Sequence, residues 1–311
     1  MPSSASHREK IVNENSFRLV LKRLPRILTA PLRLLPDFLI IGAQRAGTTS
    51  LYEYLIAHPC VAAAFIKEVH FFDNNYAHGL NWYRAFFPIA LVRDFLRRGG
   101  TGVPNCRLLS GESSPYYLCH PHTARRVRET LPEVKLIVLL RNPIDRAYSH
   151  YHHHVRLGIE TLSFEQAIAQ EEARLSGEYE KMLADEHYYS FNHQAYSYLA
   201  RGRYAEQLER WFSYFPKEQI LILKSEDFQQ NPQRTMDAVF QFLELPPRHS
   251  SEYPTELLFR TELLFRTELL FRKHHKACYP PMSSTIRTQL INYFEHYNQK
   301  LYDLLESNFG W

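Results

Sequence analysis

The chain has 311 residues, enough for one large domain with a sizeable buried core. Its 45% hydrophobic residues are those of an ordinary globular protein. A net charge of +4 suits an anionic ligand but is too small to argue for nucleic acid, and no run approaches the roughly 18 apolar residues of a membrane span.

The N-terminal 36 residues read as a basic extension. They lack the uncharged core and small-residue cleavage site of a signal peptide. Residues 17–35, FRLVLKRLPRILTAPLRLL, are basic and amphipathic, broken by Pro25 and Pro31. They can touch a membrane surface weakly or pack on the domain.

The first buried strand is read at 37–43, DFLIIGA. A Gly-containing turn follows, and then a helix over 48–58. Strand, turn and helix N-terminus together make an anion cradle, because the first turn of a helix has free N–H groups. The loop has the spacing of an ATP-binding loop at Gly42 and Gly47, yet Thr48 stands where the phosphate lysine belongs. Its only basic residue is Arg45, earlier in the loop.

A second buried strand is read at 134–140 and a third at 219–228. Helical patterns cover 163–185, 193–214, 232–243 and 284–306. Strands alternating with helices predict an α/β fold with a central parallel sheet, its ligand at the carboxyl ends of the strands. The second strand ends in Arg141, Asn142 and Pro143 rather than in the Asp that holds Mg²⁺ in ATP-hydrolysing relatives of this architecture. Arginine there repels a metal and attracts an anion. No metal is expected, and the nucleotide is expected to carry an additional anionic group.

At these residues the chain resembles the sulfotransferases that use 3′-phosphoadenosine 5′-phosphosulfate (PAPS), within them the heparan-sulfate type and its bacterial relatives. The resemblance covers residues 37–311, read as a single sulfotransferase domain with a P-loop-like sheet flanked by helices. It rests on FLIIGAQRAGTTSLY, KEVHFFD (67–73), GESSPYY (111–117), LIVLLRNPIDRAYSHY (136–151), RGRYAEQLERWFSYFP (201–216) and YPPM (279–282).

The resemblance implies roles. Gln44, Arg45, Ala46, Gly47, Thr48, Thr49 and Ser50 would hold the 5′-phosphosulfate. Arg45 takes the place of a lysine common in the family and would stabilise the bridging oxygen as its bond to sulfur breaks. Arg141 and Ser149 match the pair that binds the 3′-phosphate. Glu68 matches the catalytic base that takes the acceptor proton, and Lys67 and His70 flank it, where they would tune Glu68 or contact the substrate. Ser113 and Ser114 are expected at the acceptor. Many heparan-type enzymes have Lys at the position of Ser113, so its absence weakens a heparan acceptor. The late Lys-Gly-Arg loop of the family is missing, and Lys276 and Tyr279 stand in its place as candidate nucleotide contacts.

Two further features stand apart. His150 and His154 lie one turn apart in HYHHH and could bind metal, line the acceptor site or face solvent. TELLFRTELLFRTELLFR (255–272) is a threefold six-residue repeat, read as a tandem-duplication insertion. The four scattered cysteines suggest reduced thiols and, with no anchor before the domain, a cytoplasmic enzyme. The expected activity is transfer of the sulfuryl group of PAPS to a hydroxyl or amine of an acceptor such as a carbohydrate, glycolipid or small alcohol. A nucleotide-dependent kinase or a disabled module that only binds adenosine 3′,5′-bisphosphate (PAP) are the alternatives.

Overall fold

The computed structural model describes residues 25–91, 107–247 and 279–311. The expectations for the TELLFR repeat and for Lys276 lie outside the described residues. So does most of the N-terminal extension.

Five parallel strands form the sheet: β1 (Phe38–Gly42), β2 (Val61–Ala63), β3 (Leu109–Ser113), β4 (Lys135–Leu140) and β5 (Ile220–Lys224), in the order β2-β3-β1-β4-β5. β1 sits at the centre and is buried along its whole length. FLIIG and LIVLL are continuous apolar runs because helices cover both faces of such a sheet. Gly111 of β3 allows the tight packing beside β1, since a Cβ there would lie 2.5 Å from the Phe38 carbonyl oxygen.

The sheet order places the chemistry. Chain order reverses at β1: the chain leaves it for β2 and β3 on one side, then crosses over it from β3 to β4 on the other. The carboxyl ends of β1, β3 and β4 therefore meet at one switch point, where ligands of open α/β sheets bind.

β2 and β3 were not read from the sequence. β2 has three residues, and β3, LSGES, is polar, with Ser110 and Glu112 paired inside the fold. The third expected strand stops at Lys224, and Ser225–Gln230 is already helix. The pattern at 163–185 resolves into three short helices, Phe164–Ala169, Glu171–Leu175 and Glu178–Ala184. That at 193–214 breaks between Phe191–Tyr196 and Tyr204–Phe212. Gly177, at φ 71°, is one cause of the first division.

The start of the described chain packs on the domain. Arg26 donates to the Ala85 and Phe87 carbonyls at 2.6 and 3.0 Å, and Arg33 to Phe87 at 2.8 Å. Among the described residues, no helix is long and apolar enough to cross a membrane.

Candidate active site

The turn after β1 is held from every side. The Ala43 amide donates to the Leu139 carbonyl at 2.8 Å. Arg141 donates from Nη1 to the Arg45 carbonyl at 3.0 Å, and Ser225 from Oγ to the Ala46 carbonyl at 2.6 Å. Buried Arg201 donates from Nη1 to the Gln44 side-chain oxygen. Gly47 closes the turn at φ 102°, a conformation costly for residues with a Cβ. The helix Thr48–Ile56 starts immediately after it. Occupying the carbonyls in this way leaves the amide side of the turn and the first helical turn for an anion.

Three of the expected nucleotide residues converge here. Arg45, itself at φ 69°, donates from Nε to Ser149 Oγ at 3.2 Å. Ser149 lies on the inner face of the helix Pro143–Leu157, begun by Asn142, whose side chain accepts from the Ile144 and Asp145 amides. Burial first, then Arg156 and Arg141, lower the pKa of Arg45. Crowded cations at a helix N-terminus form a site whose electrostatics favour an anion.

The second half of the site is built from KEVHFFD. Glu68 accepts from Lys67 Nζ at 2.6 Å and lies 3.4 Å from His70 Nε2. His70 in turn bonds from Nδ1 to Asp73 Oδ2 at 2.6 Å. Burial disfavours both ionised forms, but the partners outweigh it. The Glu68 pKa falls to about 2 and that of His70 rises to about 10. At rest Glu68 is therefore a carboxylate and His70 an imidazolium. The Glu68 side chain is 44% exposed, so an acceptor can reach it, whereas the Asp73 side chain is fully buried. The Ser113 amide at the end of β3 donates to the Lys67 carbonyl at 2.9 Å, and β3 pairs with β1, which places the two halves side by side.

The remaining expected residues divide. Thr48 is buried at the start of the helix, with Thr49 and Ser50 half-buried beside it. Tyr279 stacks on His152 at 4.3 Å between ring centroids and meets Tyr148 edge-on at 5.3 Å, so it packs against the helix that carries Ser149. Ser113 and Ser114 are 0% exposed. They are scaffold and not an acceptor surface, since Ser113 ends β3 within the core and the Ser114 hydroxyl bridges the His70 amide and Glu112. His150 and His154 are 0% and 6% exposed and pack on each other and on Tyr198. Burial pushes the pKa of both down. They belong to the core and not to a solvated face. Cys60 is disulfide-bonded and Cys119 is a buried free thiol, which corrects the expectation of four reduced thiols.

Sequence reasoning missed Asp73, Glu112, Arg201 and Ser225. Asp73 carried a signal, three residues after His70 and within the same motif. Arg201 and Ser225 reach the turn from 157 and 179 residues away, which no local pattern shows.

A model of the sulfotransferase domain matches residues 35–260. The chain belongs to the sulfotransferase family. The sulfotransferase is 28% identical to the membrane-associated sulfotransferase kil1 of Dictyostelium discoideum, over 89% of this chain and 66% of that protein. It is 29% identical to heparan sulfate glucosamine 3-O-sulfotransferase 5 of Mus musculus, over 89% of this chain and 74% of that protein. With the bifunctional heparan sulfate N-deacetylase/N-sulfotransferase 3 of Homo sapiens it shares 32% identity, over 87% of this chain but only 30% of that larger protein. A crystal structure of a sulfotransferase from Alicyclobacillus acidocaldarius superposes with a TM-score of 0.62 at 28% identity, covering 88% of this chain and 97% of that one. These relatives agree with the resemblance to the heparan-sulfate type. The kinase alternative is set aside on the same ground.

Proposed function

We propose that this sulfotransferase moves the sulfuryl group of PAPS to a hydroxyl or amine of a carbohydrate and releases PAP. The observation that carries the reading is the convergence of Arg45, Arg141 and Ser149 on the turn before Thr48, with the segment that carries Glu68 bound to the end of β3 beside it. The acceptor oxygen or nitrogen attacks sulfur as the bond from sulfur to the bridging phosphate oxygen breaks. The acceptor proton passes to Glu68, and the charge gathering on the leaving phosphate is met by Arg45. Arg141 and Ser149 select a nucleotide with a 3′-phosphate. His70, held cationic between Glu68 and Asp73, orients the base.

A carbohydrate acceptor is supported by the names of the relatives that act on heparan sulfate. The reading is tested by incubating the enzyme with labelled PAPS and a panel of oligosaccharides, glycolipids and small alcohols, followed by mass spectrometry. Label on a sugar supports it; PAP binding without transfer to any acceptor sinks it and revives the module that only binds PAP.

The compartment is part of the same proposal. The cytoplasmic site expected from the sequence is carried as a proposal, and the state of Cys60 in the purified protein is to be measured beside it.

A further inference from the structure

The short helix Phe71–Asn74 starts from His70, which adopts the left-handed conformation at φ 52°. One helical turn cannot hold itself in water, and its first amides need acceptors from elsewhere. Ser114 Oγ accepts from the His70 amide at 3.0 Å. The Tyr117 hydroxyl oxygen accepts from the Phe71 amide at 2.8 Å and from that of Phe72 at 3.4 Å. Both hydroxyls direct their single proton to Glu112, at 2.7 Å each, and Tyr83 adds a third donor at 3.3 Å. Glu112 lies on β3 and is 0% exposed.

We propose that Glu112 is a positioning residue of sulfuryl transfer. Through Ser114 and Tyr117 it fixes the backbone of residues 70–72, and thereby the place of His70 against Glu68. The proposal rests on the reading of Glu68 as base, but it makes its own demand. A hydroxyl has one proton and two lone pairs. Only while Glu112 accepts can each hydroxyl spend its proton on Glu112 and keep its lone pairs for the amides. Once Glu112 is protonated it becomes a donor, and one hydroxyl is left with a proton and no acceptor in a dry interior.

Burial raises the Glu112 pKa to about 7, with the bonds from Tyr117 and Ser114 and the charge of His70 opposing and that of Asp73 assisting. Tyr52 and Tyr83 are the other titratable groups facing it; burial first, and Glu112 itself, push both upward, so they stay neutral. An acid limb near neutrality therefore belongs to Glu112 and not to Glu68. Stability runs the other way. A carboxyl whose folded pKa exceeds its unfolded one adds stability below about pH 4.5, and loses it as pH rises through about 7.

The test compares Glu112→Gln, Ser114→Ala and Glu68→Gln with the wild type by kcat, KM, PAP affinity and thermal midpoint between about pH 5 and about pH 9. The amide of Glu112→Gln imitates the protonated acid at every pH. Its kcat is expected to fall by roughly 10²-fold with PAP affinity unchanged, the acid limb to vanish, and the thermal midpoint to be retained. Ser114→Ala removes one of the two links, losing both the bond to the His70 amide and that to Glu112 while Tyr117 keeps its own, and is expected to lower kcat by a smaller factor. Wild-type kcat and an intact acid limb in Glu112→Gln overturn the proposal. If Glu112→Gln does not fold, wild-type kcat in Ser114→Ala overturns it instead. Normal turnover in Glu68→Gln removes Glu68 as base, an outcome separable from either result at Glu112.

Discussion

His70 and Asp73 are joined from Nδ1 to Oδ2 at 2.6 Å, with the Asp73 side chain fully buried and the other face of the imidazole turned to Glu68. A histidine between two carboxylates keeps its proton, and its pKa rises to about 10. An unfolded histidine titrates near 6.5, so the stabilisation is complete below about pH 6.5 and is lost as pH rises through about 10. Asp73→Asn should therefore flatten stability over this range and move the alkaline limb of kcat/KM to lower pH. Thermal unfolding and a pH–rate profile measure both, and an unmoved alkaline limb removes His70 from the mechanism.

Glu68 behaves in the opposite sense. Its folded pKa of about 2 lies below the unfolded value of 4.5, so its contribution is present above about pH 4.5 and is lost as pH falls through about 2. A carboxylate of such low basicity takes a proton well only when the acceptor displaces water and Lys67 from it. Glu68→Gln should lower kcat by roughly 10²–10⁴ while PAP affinity stays within a small factor. Isothermal titration with PAP beside a turnover assay separates the two. Near-normal kcat at saturating acceptor would transfer the role of base to another group.

The sequence was most legible where one short segment does one job. FLIIGAQRAGTTS is strand, turn and helix in succession, and its apolar run, glycine and hydroxyls each fit their local place. KLIVLLRNP likewise announces a buried strand ending in a cation. KEVHFFD names the carboxylates and imidazole of the triad, although the role of Asp73 appeared only once one helical turn had brought it beneath His70. What stayed hidden depends on distant packing. LSGES has no apolar run to mark it as a strand, and its place in the core appears only where burial pairs Glu112 with Ser114, Tyr117 and Tyr83. HYHHH reads as a polar face, yet Tyr198 from another segment covers His150.

Cysteine chemistry gives a prediction independent of catalysis. Cys60 is oxidised and Cys119 is buried, with burial pushing the Cys119 thiol pKa up. Neither should react with a maleimide in the folded protein, and Cys119 should react only on unfolding. Cys60 should react only once the protein is both unfolded and reduced. Peptide mapping after labelling reads each site. Labelling of Cys60 in unreduced, unfolded protein would restore the reduced-thiol expectation.

A metal test follows from the end of β4, where Arg141 occupies the place in which Mg²⁺-dependent phosphoryl transfer needs a carboxylate. Sulfuryl transfer should survive EDTA with little change in kcat. Complete inhibition, restored by added Mg²⁺, would require a metal role that Arg141 argues against.

Arg141 also decides which nucleotide is held. Its Nη1 braces the turn through the Arg45 carbonyl, which leaves the rest of the guanidinium fork free for a phosphate, and Ser149 lies within reach of the same turn through Arg45. Arg141→Ala should weaken PAP by about 2–4 kcal/mol and adenosine 5′-phosphosulfate, which has no 3′-phosphate, far less. Arg45→Ala should weaken both nucleotides and lower kcat as well, since its charge meets the 5′-side in the ground state and in the transition state. Titrations of the two variants with the two nucleotides form a four-cell comparison. If Arg141→Ala weakens both nucleotides equally, Arg141 serves the turn alone, through Arg45, and selection of the 3′-phosphate must come from other residues.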